Sequence, residues 1–302
     1  MKFNQLIKKH LINILFVLAI AILISLSVVV YYGKHGFPPK FNHPEAKMYL
    51  SPLEQSLAEA IDKKSYYKIK KTLEKDKSFI TKSYSGEKYY SLLHYAVDNY
   101  DAKAVELLLN YGYNPNVQDS QGDTPLIESL NTPTHHFIGK YYPDDPAIMV
   151  KAFLKHGASP DICNDKLQSP LMYAAKSYLV LLDDSYTILK LLIEIGNCNI
   201  NLLDADGHSV AYYFLNDLYG IKAAHYLIVE RKADLTNDPE LCSSLRKHVY
   251  KLDSEEYKLK MEIVNEFKNQ GIDYFTEPVP ENILNSIKKE FPDSWEDYLK
   301  VY

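Results

Sequence analysis

Ser91-Leu92-Leu93-His94-Tyr95-Ala96-Val97, followed by Val105, Leu108, Leu109, Gly112 and then Asn114-Pro115-Asn116, decides the reading of this chain. A small-residue turn opens a short helix, and a second helix ends in a Leu-Leu-x-x-Gly stop, where glycine supplies the left-handed conformation that closes a helix. The same phrase returns at Gly122-Asp123-Thr124-Pro125-Leu126 and at Ser169-Pro170-Leu171-Met172-Tyr173-Ala174-Ala175. Their second helices close with Val150, Phe153, Leu154, Gly157 and with Leu189, Leu192, Ile193, Gly196. Thr124 and Ser169 are placed as N-caps, with Pro125 and Pro170 at the first helical position, where no amide donor is missed. Each unit carries too little apolar surface to fold alone, so neighbours must stack to bury a continuous core.

Weaker copies flank these three. One ends at Ile69, Thr72, Leu73 and Asp76, and another runs from Gly207-His208-Ser209 to Ile228, Val229, Lys232 and Ala233; both lack the closing glycine and must end their helices differently. A stretch through Val264, Phe267 and Gly271 reads as a degenerate last copy, and Ile283, Ile287, Phe291, Trp295 and Tyr298 form an amphipathic pattern, broken at Pro292, that covers it. Over residues 52–275 the pattern resembles the ankyrin repeat. The resemblance implies an all-α solenoid of about five to six helix-turn-helix units, and places His94 on the histidine of the Thr-Pro-Leu-His turn, in a structural role.

Working outward, residues 11–32 carry no charge and are interrupted by Asn13, Ser25 and Ser27 alone. At about 1.5 Å per residue they reach about 33 Å, enough to cross a hydrocarbon core. The expected organisation is therefore an N-terminal cytoplasmic tail (1–10), a transmembrane anchor (11–32), a linker with Pro38, Pro39 and Pro44 (33–51), the repeat domain (52–275) and a C-terminal cap with its capping helix (276–302). Lys2, Lys8 and Lys9 precede the segment, which points to an inside N-terminus, a single pass through the inner (cytoplasmic) membrane and a periplasmic repeat domain.

The formal charge is −5, but residues 1–47 hold six of the lysines against Glu45, which leaves 28 bases against 38 acids for the rest. Such a balance repels phosphate backbones, so nucleic acid is excluded as a partner. Cys163, Cys198 and Cys242 are odd in number and lack CxxC pairing, which suits buried thiols rather than a disulfide frame.

From the position of Leu92 to that of Val105 the best copy spans 13 residues. Pro125 to Val150 spans 25, Pro170 to Leu189 spans 19, and Val210 to His225 spans 15. Two adjacent insertions of 12 and 6 residues should therefore form one raised patch, made of His135, His136, Phe137, Tyr141, Tyr142, Asp144 and Asp145 with Asp183, Asp184 and Tyr186. Its aromatics and acids have the composition of a binding hot spot with a polar rim; alternatively, they tuck beneath tolerated loops. The resemblance implies a second binding surface, the row of finger tips with Tyr84, Glu87, Lys88, then Ser120, Gln121, Asp123, then Lys166, Gln168, then Asp206, His208.

No GxSxG elbow, phosphate-gripping loop, HExxH or dinucleotide fingerprint is present. The expectation is a non-catalytic monomer without cofactor or metal that binds another protein, with neutralisation of a basic toxin or effector, as immunity proteins of type VI secretion do, as the leading function. A membrane-tethered scaffold or chaperone for an envelope enzyme is one alternative. A metal-dependent hydrolase using His135 and His136 is the other.

Overall fold

The computed structural model describes residues 52–75, 90–131, 146–176, 184–217 and 220–302. The apolar segment 11–32, the linker, the three finger residues Tyr84, Glu87 and Lys88, and the insert residues from His135 to Asp145 and Asp183 lie outside the described residues. Among the described residues no helix is long and apolar enough to cross a membrane.

Six successive helix pairs form the described solenoid. They are α1 (Pro52–Asp62) with α2 (Tyr66–Lys75), α3 (Leu92–Asp98) with α4 (Ala102–Asn110), and α5 (Pro125–Leu130) with α6 (Pro146–Lys155). Then come α7 (Pro170–Lys176) with α8 (Asp184–Lys190), α9 (Val210–Leu215) with α10 (Ile221–His225), and α11 (Leu241–Arg246) with α12 (Glu255–Asn269). The first members stack in chain order as an inner layer, and the second members form an outer layer behind them. One core runs through both layers, from Leu57 and Ile61 past Leu92, Leu108, Leu126, Phe153, Leu171, Leu192, Phe214 and Leu227 to Phe267. Between α8 and α10 the outer layer is linked by Tyr226, whose hydroxyl donates to Glu194 at 2.9 Å and whose ring meets Tyr186 edge-on.

The inner helices begin as their sequences require. Ser91, Thr124, Ser169 and Ser209 each accept, through the side-chain oxygen, from the backbone N–H three residues on. The outer helices end in two ways. Tyr113, Ala158 and Ile272 donate to carbonyls five residues back, with Gly112, Gly157 and Gly271 left-handed one residue before them. Cys198 and Ala233 reach six residues back instead, across π-helical turns at Leu191–Ile195 and Tyr226–Glu230.

That extra residue corrects two readings of the sequence. Gly196 is not the left-handed residue of its repeat, since its φ is −75° and Asn197 at +53° closes the helix. A β-carbon on Gly196 would approach the Leu192 carbonyl oxygen to 2.5 Å, so glycine is required there by a tight turn rather than by handedness. Lys232, at φ +57°, closes the next one without any glycine, and the position matching Leu108 and Phe153 is Leu227, so the match to Val105 is Ala224 and not His225.

Beyond a 3₁₀ turn at Tyr274–Thr276, α13 (Glu281–Glu290) and α14 (Trp295–Val301) build a small second core of Ile287, Tyr298 and Tyr302. The break expected at Pro292 falls between these two helices. Two buried basic side chains hold this cap on the solenoid. The Arg246 guanidinium donates to the main-chain oxygens of Tyr302 and Tyr274 and lies 4.1 Å from the Tyr274 ring centre. The Lys260 Nζ donates to the His248 carbonyl at 2.9 Å and sits 3.5 Å from the Tyr302 ring centre. Burial, then the charge of Arg246, pushes the Lys260 amine well below the usual lysine range.

Candidate functional site, the turn row and inner-helix face

The turns before α5, α7 and α9 share one architecture. Asp119, Asn164 and Asp204 each accept, through Oδ1, from the backbone N–H groups two and four residues on, at 2.8–3.0 Å. The turns are stitched together, with Asp165 N donating to Gln121 O and Ala205 N to Lys166 O, both at 3.0 Å. Gln118 adds side-chain donations to the carbonyls of Gly122 and Cys163.

Beneath the turns runs a fully satisfied polar layer. Ser91 N donates to His94 Nδ1, so the ring proton sits on Nε2 and is given to the Asp123 carbonyl at 3.0 Å. His94 is wholly buried, and that burial lowers its pKa to about 4. Asn164 Nδ2 donates to Asp123 Oδ1 and to the Tyr173 hydroxyl. Ser209 donates through both N and Oγ to Asp238 Oδ2 while capping α9, so its hydroxyl is held within the turn.

The row sorts its expected residues into two kinds. Asp123 is 4% exposed, and its carboxylate belongs to the polar layer. Gln168 and His208 are half-buried, the His208 ring stacked 3.9 Å from the Tyr212 ring. Ser120, Gln121, Lys166 and Asp206 are exposed and available to a partner. Leu167, exposed at the middle tip, belongs with them although the sequence reading passed over it, and Asp165 is exposed beside it. Of the insert patch, Tyr186 is half-buried, with Lys190 Nζ 4.7 Å from its ring centre.

Asp204, Asp206 and His208 bring ligand atoms within 4.8 Å of one another, the spacing of a metal site. Asp204 is already engaged, since its Oδ1 takes two backbone N–H groups and its Oδ2 takes the Tyr213 hydroxyl. Burial alone would raise the Asp204 carboxyl, but the Tyr213 hydroxyl and those N–H groups outweigh it and hold the pKa below the usual range. The cluster is a turn locked by hydrogen bonds.

On the inner-helix face, Tyr90 donates to Asp98, and Asp98 in turn hydrogen-bonds the Glu128 carboxyl. Burial, reinforced by the Asp98 charge, pushes Glu128 up to about 8, so the two carboxyls hold a proton between them at neutral pH. Nearby, burial pushes the Tyr173 hydroxyl up to about 12.

A family model of ankyrin repeats matches residues 93–204, in three copies. No curated protein matches the chain by sequence. Among solved structures, an ankyrin repeat domain from Acinetobacter baumannii AYE is similar at a TM-score of 0.50 and 16% identity, covering 72% of this chain and 99% of that one. A second ankyrin repeat protein is 20% identical at a TM-score of 0.49, covering 70% of this chain and 96% of that one. Ankyrin repeats are in general protein–protein interaction modules, and the helix pairs and stitched turns described in residues 93–204 agree with the family match there.

Proposed function

We propose that this chain binds another protein stoichiometrically through its turn row and inner-helix face, held at the cytoplasmic membrane by residues 11–32, and that it neutralises a basic toxin or effector in the envelope. The observation that supports this is an uneven placement of exposed charge over the first repeats and the turn tips. The exposed turn tips carry Asp165 and Asp206 beside Lys166, whereas the outer helices of the first three pairs carry exposed lysines at 68, 70, 71, 103, 151 and 155 against Glu74 and Glu106. Lysine-rich outer helices repel a basic partner and leave the turn tips as the side it approaches.

The test is affinity capture by the full chain from envelope extracts, set beside capture by Asp165→Lys with Asp206→Lys. One stoichiometric basic protein, lost in the reversed variant and toxic to cells unless this chain is co-expressed, is the expected result. A captured protein that is not toxic would replace neutralisation with scaffolding. Equal capture by both forms would remove the turn row from the interface.

A further inference from the structure

The three finger tips place one residue each in the same left-handed turn position. Gly122 has φ +81°, Leu167 +57° and Gly207 +84°, and each donates its N–H to the carbonyl of the Asx residue three positions earlier. A β-carbon clashes with the left-handed backbone, so glycine is the favoured occupant. At Gly122 it is also required by space, because a β-carbon would come within 2.8 Å of Asp165 N. At Gly207 a β-carbon meets nothing within 4 Å.

Leucine at the middle tip is therefore unfavourable for the backbone, and the fold gains little in return. Leu167 is 53% exposed and takes no part in the hydrophobic core. A single exposed leucine is ordinary, but one held in a conformation its neighbours assign to glycine is not, and such outliers gather where a partner is met. Its surroundings define that partner. Asp165 lies two residues before it and Asp206 is exposed on the adjoining tip, bound to it through the Ala205–Lys166 backbone link.

We propose that Leu167 is the apolar anchor of the turn row, entering an apolar pocket rimmed by lysine or arginine on a basic protein partner. This deepens the reading that the row binds protein and rests on it. At this exposed tip the flanking carboxylates pair with the rim while the isobutyl group is desolvated, the arrangement of an anchor inside a polar ring.

The experiment pans a displayed library of random dodecapeptides on the full chain, then compares the selected peptides on wild type, Leu167→Gly, Leu167→Met and Gln121→Ala/Asp206→Asn. The expected peptides carry apolar residues between lysines or arginines. They should bind Leu167→Gly at least tenfold more weakly and Leu167→Met nearly unchanged, while the thermal midpoint of Leu167→Gly stays equal to or above that of wild type. A lowered midpoint, or peptides that bind Leu167→Gly as well as wild type yet lose affinity to Gln121→Ala/Asp206→Asn, overturns the anchor and leaves the row standing. Peptides indifferent to every variant, or no enrichment at all, overturn the row itself.

Discussion

The turn row and the C-terminal cap both bury polar groups, but they do so by different chemistry. In the row, neutral or locally compensated side chains repeat one short-range pattern, and each buried donor finds an acceptor within its own turn or the next. In the cap, the Arg246 guanidinium and the Lys260 amine are buried among tyrosine rings and main-chain oxygens, and Arg246 Nε and the Tyr274 hydroxyl have no hydrogen-bond partner. The first arrangement can be extended by adding turns. The second is made once, from parts distant in the chain.

The largest effect should therefore come from the cap. Arg246→Ala removes a buried side chain and strands the main-chain oxygens of Tyr274 and Tyr302, which should cost about 4 kcal/mol in urea unfolding of the full chain. Lys260→Met keeps the volume and removes the desolvated amine at the loss of one hydrogen bond, so it should stay within about 1 kcal/mol of wild type. If Lys260→Met proves as damaging as Arg246→Ala, the ammonium has an anionic partner and the contrast between the two regions fails.

The row's buried acid and base give a pH signature that the cap does not share. The Glu128 pKa is raised from 4.5 to about 8 on folding, so its contribution is full below 4.5 and is lost as pH rises towards 8. The His94 pKa is lowered from 6.5 to about 4, so its contribution is full above 6.5 and is lost as pH falls towards 4. Between these limits the two slopes oppose each other, and above pH 6.5 Glu128 acts alone. Wild type should lose about 2 kcal/mol between pH 6.5 and 8 at 1.36 kcal/mol per pKa unit. Glu128→Gln should abolish that loss and uncover the fall below 6.5, whereas a loss that survives in Glu128→Gln would remove the shared proton.

Asn164 tests the row more locally. Asn164→Ala withdraws the acceptor of two turn N–H groups and the donor to Asp123, and should cost about 2 kcal/mol in the same unfolding measurement. An effect near zero would mean that the stitching between turns carries the row without its side chains.

The difference between the regions also explains what could be read in advance. Ser91, Thr124, Ser169, Gly112 and Gly157 act on neighbours within a few residues, so their roles stand in the chain as a recurring phrase. The finger tips could be aligned for the same reason, and Leu167 was findable there as the residue standing where Gly122 and Gly207 stand. The cap could not be foreseen, because Arg246 meets Tyr302 across 56 residues with no period to announce it. Nor could the Asp98–Glu128 pairing, which joins two helices whose polar positions look like ordinary solvated ones. The insert patch lies almost wholly outside the described residues.

The smallest predicted effects concern the helix ends, where local reading misled. Gly157 is left-handed at φ +82° with open space around its missing β-carbon, so Gly157→Ala tests conformation alone and should cost about 1 kcal/mol. Lys232 holds the matching position after a π turn, and Lys232→Gly relieves the same strain. It also gives up the ion pair with Glu266 at 2.9 Å, in which the lysine side chain is 63% exposed and so adds little. The unfolded chain gains freedom from the new glycine, which offsets part of the relief. The net stabilisation should be about 0.5 kcal/mol, measured as a rise in urea midpoint at unchanged slope. A destabilisation instead would show that the Glu266 pair, together with the lysine's packing, stabilises this helix end by more than the left-handed strain costs, and that the two kinds of cap are not alternative solutions to one problem.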